Sequence, residues 1–89
     1  YLIFQRPNTL HHTLDTLGLL CPLPIIETAK KIKEINIGEV LEVLSDDGVI
    51  RIDMPAWCLS TGPEYLGYEE DGRTYRVYVR KQEVSGLDI

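Results

Sequence analysis

Two prolines separated by a single residue, in Cys21-Pro22-Leu23-Pro24, constrain this chain more than any other feature of its sequence. Proline fixes φ and has no backbone N–H, so it is tolerated in the first turn of a helix and poorly anywhere deeper. The pair predicts a helix start, with Pro22 as the first helical residue and Cys21 as the N-cap. Downstream, Ile25, Ile26, Ala29, Ile32 and Ile35 recur at three- and four-residue intervals, while Glu27, Lys30, Lys31, Lys33 and Glu34 fall elsewhere. That spacing predicts an amphipathic helix with one face on the core, and Asn36-Ile37-Gly38 supplies its stop. A cysteine at the N-cap lies against free N–H groups and the positive end of the helix dipole, a position that favours an anion. Cys21 is therefore expected to titrate below the ~8.5 of a free thiol and to expose more of the nucleophilic thiolate, with no help needed from Lys30 two turns along.

The remaining elements follow from pattern and punctuation. His12 to Thr16 is a short β-prone run, with Leu14 and Thr16 on one side, ended by Gly18. Val40 to Leu44 is the clearest strand, nearly all apolar and so expected at the centre of the sheet, and Ser45-Asp46-Asp47-Gly48 is turn chemistry. Asp53 is the expected cap of a second helix, with Pro55 in its first turn, an apolar stripe of Met54, Trp57, Cys58 and Thr61, and a stop at Gly62-Pro63. Tyr65 to Glu70 and Thr74 to Arg80 flank Asp71-Gly72, a hairpin signal. The order β-α-β-α-β-β predicts an α/β (α+β) fold: a two-layer sandwich with a four-stranded mixed sheet and both helices on one face.

At 89 residues there is room for one domain. No apolar run approaches the ~18 residues of a membrane span, so no membrane partner is expected. The net charge of −5 works against phosphate-led binding of nucleic acid and favours a protein partner. Cys21 and Cys58, 37 positions apart, are too few for a disulfide scaffold and lack the paired spacing of a zinc site; a reducing, cytoplasmic setting is expected, with no metal and no cofactor. Tyr1-Leu2-Ile3-Phe4 lacks the basic flank and cleavage site of a secretory signal. Without an initiating methionine the chain reads as a trimmed or engineered product. Residues 1–11 are set apart as an N-terminal extension, 12–82 as the domain and 83–89 as a C-terminal tail.

Several residues have a bland reading beside a functional one. Pro22 and Pro24 carry no chemistry; they stiffen the first turn and hold the Cys21 backbone in one orientation. Cys58 lies on an apolar stripe and reads as a packing residue, its rival role being a resolving thiol for Cys21. His11 and His12 read as a solvated pair, Asp46-Asp47 as turn formers, and Asp15 as a strand-end hydrogen-bonding residue beside the Cys21 loop.

The Cys-Pro-x-Pro box opening an amphipathic helix, preceded by Leu14-Asp15-Thr16-Leu17-Gly18-Leu19, resembles the TusA/SirA family of small sulfur-carrier proteins. Gly38-Glu39-Val40-Leu41-Glu42-Val43, Asp46-Asp47, Pro55-Ala56-Trp57 and Ser60-Thr61-Gly62 follow in the family's order, so that the resemblance spans about residues 13–81. It implies that Cys21 accepts sulfane sulfur as a persulfide from a cysteine desulfurase or rhodanese-type donor. Cys21 would then relay it to an acceptor protein serving tRNA thiolation, cofactor sulfuration or sulfur oxidation, with Pro22, Pro24, Gly18 and Asp15 in support. Leu20 and Leu23 stand where many members carry a charge, and Pro63 where the family often has His, departures that bear on partner choice. The alternatives are a thiol redox sensor using Cys21 and Cys58, and a non-catalytic interaction module.

Overall fold

The computed structural model describes residues 11–82. The expected extension and tail, over 1–10 and 83–89, lie outside the described residues, while His11 opens the first strand. The chain runs β1 (His11–Asp15), α1 (Leu23–Ile32), β2 (Val40–Ser45), α2 (Ile50–Thr61), β3 (Glu64–Asp71) and β4 (Thr74–Arg80). This is the predicted order. The strands lie β1-β2-β4-β3 across one sheet, β1 parallel to β2 and the other neighbours antiparallel. A parallel pair needs a crossover, which α1 provides. The apolar β2 is central, flanked by β1 and β4, as its composition predicts.

Strand alternation puts both helices on the same face. Leu41 and Val43 of β2 and Val77 and Val79 of β4 are fully buried, and they pack with Ile32, Ile35, Ile50, Met54 and Cys58. The alternate residues form the other face, which is closed by polar contacts. The Thr13 hydroxyl donates to Glu42, and the Tyr78 hydroxyl lies 3.2 Å from Glu42 and 3.0 Å from Glu69. Glu42 is 8% exposed, and these partners satisfy a carboxylate that would be costly to bury alone.

Both helix starts differ from the sequence reading. The first turn of α1 closes on Pro22, whose carbonyl accepts the N–H groups of Ile25 and Ile26, so Pro22 is the N-cap and Cys21 lies one residue outside it. The buried face of α1 is Pro24, Thr28 and Ile32; Ile26 is 43% exposed. Thr28 tolerates burial because its hydroxyl donates to the Pro24 carbonyl. α2 begins at Ile50, three residues before the expected cap, and Asp53 lies in its first turn. The acceptor at that end is Asp47, which takes the Val49 N–H at 3.1 Å. Pro55 is thus inside the helix, and the buried stripe is Ile50, Met54 and Cys58, with Trp57 half-buried and Thr61 exposed. Gly62 closes α2 in the left-handed region at φ 116°. In the hairpin, Asp71 pairs with Thr74 across Gly72-Arg73 as the Asp-Gly signal predicts, and a bulge near Leu66 interrupts the β3 register.

Candidate functional site

Because β1 and β2 are parallel, the loop leaving Asp15 and the loop leaving Ser45 emerge at the same end of the sheet. They are joined there by carboxylates. Asp15 accepts the Leu17 N–H at 2.9 Å, Asp46 accepts the Gly18 N–H at 3.2 Å, and Asp47 accepts the Cys21 N–H at 2.9 Å. Thr16, buried below them, bonds the Leu44 carbonyl through both its N–H and its hydroxyl. Gly18 meets its contact with Asp46 at φ 84°, a conformation that costs glycine little. The 16–23 loop is therefore pinned by its backbone, and Cys21 is presented at the surface.

Five of the residues singled out from sequence, Asp15, Gly18, Cys21, Pro22 and Pro24, lie in or beside this loop. Asp46, Asp47 and Asp53 join them there. Asp46-Asp47 read from sequence as turn formers, and Asp53 as a helix cap. Parallel pairing of the first two strands is the signal that would have brought the acidic pair to the cysteine.

The Cys21 Sγ donates to Asp53 Oδ2 at 2.7 Å. That hydrogen bond, then partial desolvation, then the negative charges of Asp53 and Asp47, push the thiol above its ordinary range. The expected depression is reversed, and the prolines explain why. Pro22 and Pro24 have no N–H to offer, the Leu23 N–H is taken by the Leu20 carbonyl at 2.8 Å, and those of Ile25 and Ile26 turn into the helix. The residues that start α1 strip its first turn of donors, leaving the sulfur to donate to a carboxylate. Asp47 moves the opposite way, held below the usual carboxylate range by the N–H groups of Cys21 and Val49.

The cleft beside the thiol, lined by Cys21, Pro24, Ile25, Asp47, Ile50 and Asp53, encloses about 10 Å³. That is water-sized, far below a small-molecule site. A larger cavity of about 500 Å³ lies at the other end, where the C-terminal halves of α1 and α2 meet Lys81 and Gln82. Exposed apolar residues lie on both segments that meet at the thiol: Leu17, Leu20 at 69% and Leu23 in its own loop, and Val49 and Ile52 at 69% next in sequence to Ile50 and Asp53 of the cleft.

Cys58 is a free, buried thiol that desolvation pushes up to about 11. It stands five residues beyond Asp53 on α2, a rise of about 7.5 Å and roughly 140° of rotation, so it points into the core while Asp53 faces Cys21. His12, expected to be solvated, bonds Glu39 at 2.9 Å. The Asn36 N–H and then His12 hold the Glu39 carboxyl below the usual range. Among the described residues, no group of three or more His, Cys, Asp or Glu side chains could hold a metal, and no helix is long and apolar enough to cross a membrane.

Residues 12–81 match the family model described as sulfurtransferase TusA. The chain belongs to the TusA family. It is 40% identical over 70 residues to the sulfur carrier protein TusA of Pseudomonas entomophila, covering 79% of this chain and 88% of that one. It is 47% identical over 68 residues to the putative sulfur carrier protein YrkF of Bacillus subtilis, covering 76% of this chain but only 37% of YrkF. The crystal structure of a SirA-like protein from Desulfitobacterium hafniense superposes with a TM-score of 0.66 at 32% identity, over 81% of this chain and 99% of the other. The TusA/SirA resemblance and the two-layer α+β fold are thereby both established, and the relatives point to sulfur carriage in general.

Proposed function

We propose that this domain is a sulfur carrier in which Cys21 bears the transferred sulfur as a persulfide. One observation carries the reading: in a member of a family of sulfur carriers, the exposed cysteine of the Cys-Pro-x-Pro box is presented on a loop pinned by Asp15, Asp46 and Asp47. Thiol exchange needs a sulfur accessible to a second sulfur at bonding distance, and a pinned, protruding loop meets that need. The water-sized cleft fits the same role, because sulfur brought by another protein's cysteine needs access and no small-molecule pocket.

Donor and acceptor are proteins in this reading. A cysteine desulfurase or a rhodanese-type protein supplies the sulfane sulfur, and an acceptor of a cytoplasmic sulfur relay takes it on, in tRNA thiolation, cofactor sulfuration or sulfur oxidation. Both partners meet the apolar rim of Leu17, Leu20, Leu23, Val49 and Ile52. The deciding experiment is intact-mass analysis after incubation with a cysteine desulfurase and cysteine. A gain of one sulfur atom, mapped to Cys21, is expected; a chain that gains none, or gains it at Cys58, overturns the reading.

A further inference from the structure

The contact between Cys21 and Asp53 joins residues of different elements, the loop before α1 and the first turn of α2. The charged groups that act on the sulfur are acidic: Asp53 from α2 and Asp47 from the loop after β2, while Asp46 of the same loop and Asp15 at the end of β1 hold the Gly18 and Leu17 N–H groups. Pro24, Ile25 and Ile50 supply the apolar wall. Arg51, although two residues from Asp53, is turned away, its Nε on the Gly48 carbonyl at 3.0 Å and its guanidinium over the Tyr75 ring. Lys30 pairs with Glu27. Among the described residues none of Asp46, Asp47 and Asp53 has a cationic partner, whereas Asp46 and Asp47 are occupied by backbone N–H groups. Asp53 is the carboxylate turned to the sulfur itself.

Resting on the reading of Cys21 as the persulfide carrier, we propose that Asp53 is a further catalytic residue, the carboxylate that holds the Cys21 proton. It keeps the sulfur of the free carrier as a neutral thiol aimed at Oδ2, and it takes the proton when that sulfur attacks. The step balances without an oxidant or reductant. A bond forms between Cys21 Sγ and the outer sulfur of the incoming persulfide, the donor's own S–S bond breaks, and the electron pair of that bond leaves on the donor cysteine. The Cys21 proton crosses to Asp53 and ends on the departing donor thiolate. In the handing-off step an acceptor thiol attacks the outer sulfur and its proton passes to the Asp53 carboxylate; the bond between the outer sulfur and Cys21 Sγ breaks, and the Cys21 sulfur leaves with the electron pair and takes up that proton. Withholding the thiolate from the free carrier also slows its reaction with stray electrophiles.

Asp53→Asn tests this, since it keeps size and hydrogen-bonding capacity and removes the charge. Alkylation of the folded chain by iodoacetamide from pH 6 to 10, with Cys58 buried, reads the Cys21 titration. Loading by glutathione persulfide, followed by intact mass, reads sulfur transfer free of protein docking. In Asp53→Asn the alkylation midpoint is expected to fall and the rate at pH 7 to rise several-fold. Loading, normalised to thiolate fraction, is expected to drop by at least about tenfold. The two readouts move in opposite directions, which simple disordering of the loop would not produce, and Asp53→Glu should restore part of both. A midpoint that stays or rises in the Asn variant overturns the proposal, as does loading that climbs in step with the thiolate. Should the Asn variant fail to fold, a wild-type midpoint below that of a free thiol overturns it equally. A wild-type chain that takes no sulfur on Cys21 sinks the carrier reading and the transfer step with it, while the alkylation profile still judges whether Asp53 holds the proton.

Discussion

Cys21 and Cys58 are the same group in opposite surroundings, and both thiols are held above their ordinary range. For Cys21 the leading cause is a hydrogen bond to the Asp53 carboxylate; for Cys58 it is burial among Met54, Ile50 and the valines of β4. The first cause is undone by moving one proton or by bringing a positive charge beside Asp53, with the chain unmoved. The second is undone only by opening the core. A raised thiol pKa thus describes two different things, a reactive sulfur kept in check and an inert one kept in place, and exposure tells them apart.

The sharpest way to break this contrast is Cys21→Ser. Complete loss of sulfur acceptance is expected, with an unchanged melting profile, because the side chain is exposed and a hydroxyl still donates to Asp53. Intact mass and circular dichroism check the two halves. If the Cys21→Ser variant still loaded at the normal stoichiometry, Cys21 would lose its assigned part.

Selective labelling of the native chain comes next. Only Cys21 should react with iodoacetamide under native conditions, and Cys58 only on unfolding. Because the Cys21 thiol is raised, its rate at pH 7 should fall below that of a free cysteine, then climb about tenfold per pH unit until the thiol titrates. Peptide mapping across a pH series reads both.

A smaller effect is expected from Cys58→Ala, a loss of about 1 kcal/mol measured by urea unfolding, with sulfur loading intact. This variant should also change alkaline stability. The folded pKa of Cys58 is raised, so the folded state holds that proton more tightly than the unfolded chain. Its contribution is present below the ordinary thiol range and is lost as pH climbs toward about 11. Cys58→Ala should therefore flatten the decline of stability with rising pH. What slope remains would come from Cys21, raised by its hydrogen bond to Asp53, and from Tyr65 and Tyr78, whose phenols burial pushes up. An identical slope in both chains would show that Cys58 is not the buried, proton-holding group of this comparison.

Least should come from Lys30→Ala. Its contact with Glu27 is 3.5 Å long and exposed, worth at most about 0.5 kcal/mol, and Lys30 is not among the groups that shift the Cys21 thiol. A changed alkylation rate in this variant would bring α1 charge into the control of the thiol.

The places where sequence and structure part company share one cause. Element order, the central β2 and the Asp71-Gly72 hairpin were legible because each rests on local period or turn chemistry. The position of Cys21 just ahead of a proline-stiffened turn was legible too. Its electrostatic surroundings were not, because they depend on which loops the parallel pairing of β1 and β2 brings together. Asp47 satisfies the start of α2 and the Cys21 N–H at once, and Asp53, lying inside the helix it was expected to cap, faces a sulfur 32 positions away. Ile26, expected on the core face, is exposed while Thr28 is buried, for a related reason: periodicity sees hydrophobicity, and cannot see that a threonine hydroxyl will find the Pro24 carbonyl.

The clips that Asp15, Asp46 and Asp47 place on the 16–23 loop grip main-chain N–H groups of Leu17, Gly18 and Cys21, and the side chain that a carboxylate holds there is the Cys21 thiol itself, through Asp53. The coordinates of the sulfur and the lettering of the surrounding surface are therefore written in separate residues. Leu17, Leu20 and Leu23 are free to be exchanged for charged, polar or bulkier groups without displacing Cys21. Such a loop behaves as a socket with a replaceable faceplate: new docking specificities could be grafted onto one unchanged sulfur-bearing frame by rewriting three exposed letters.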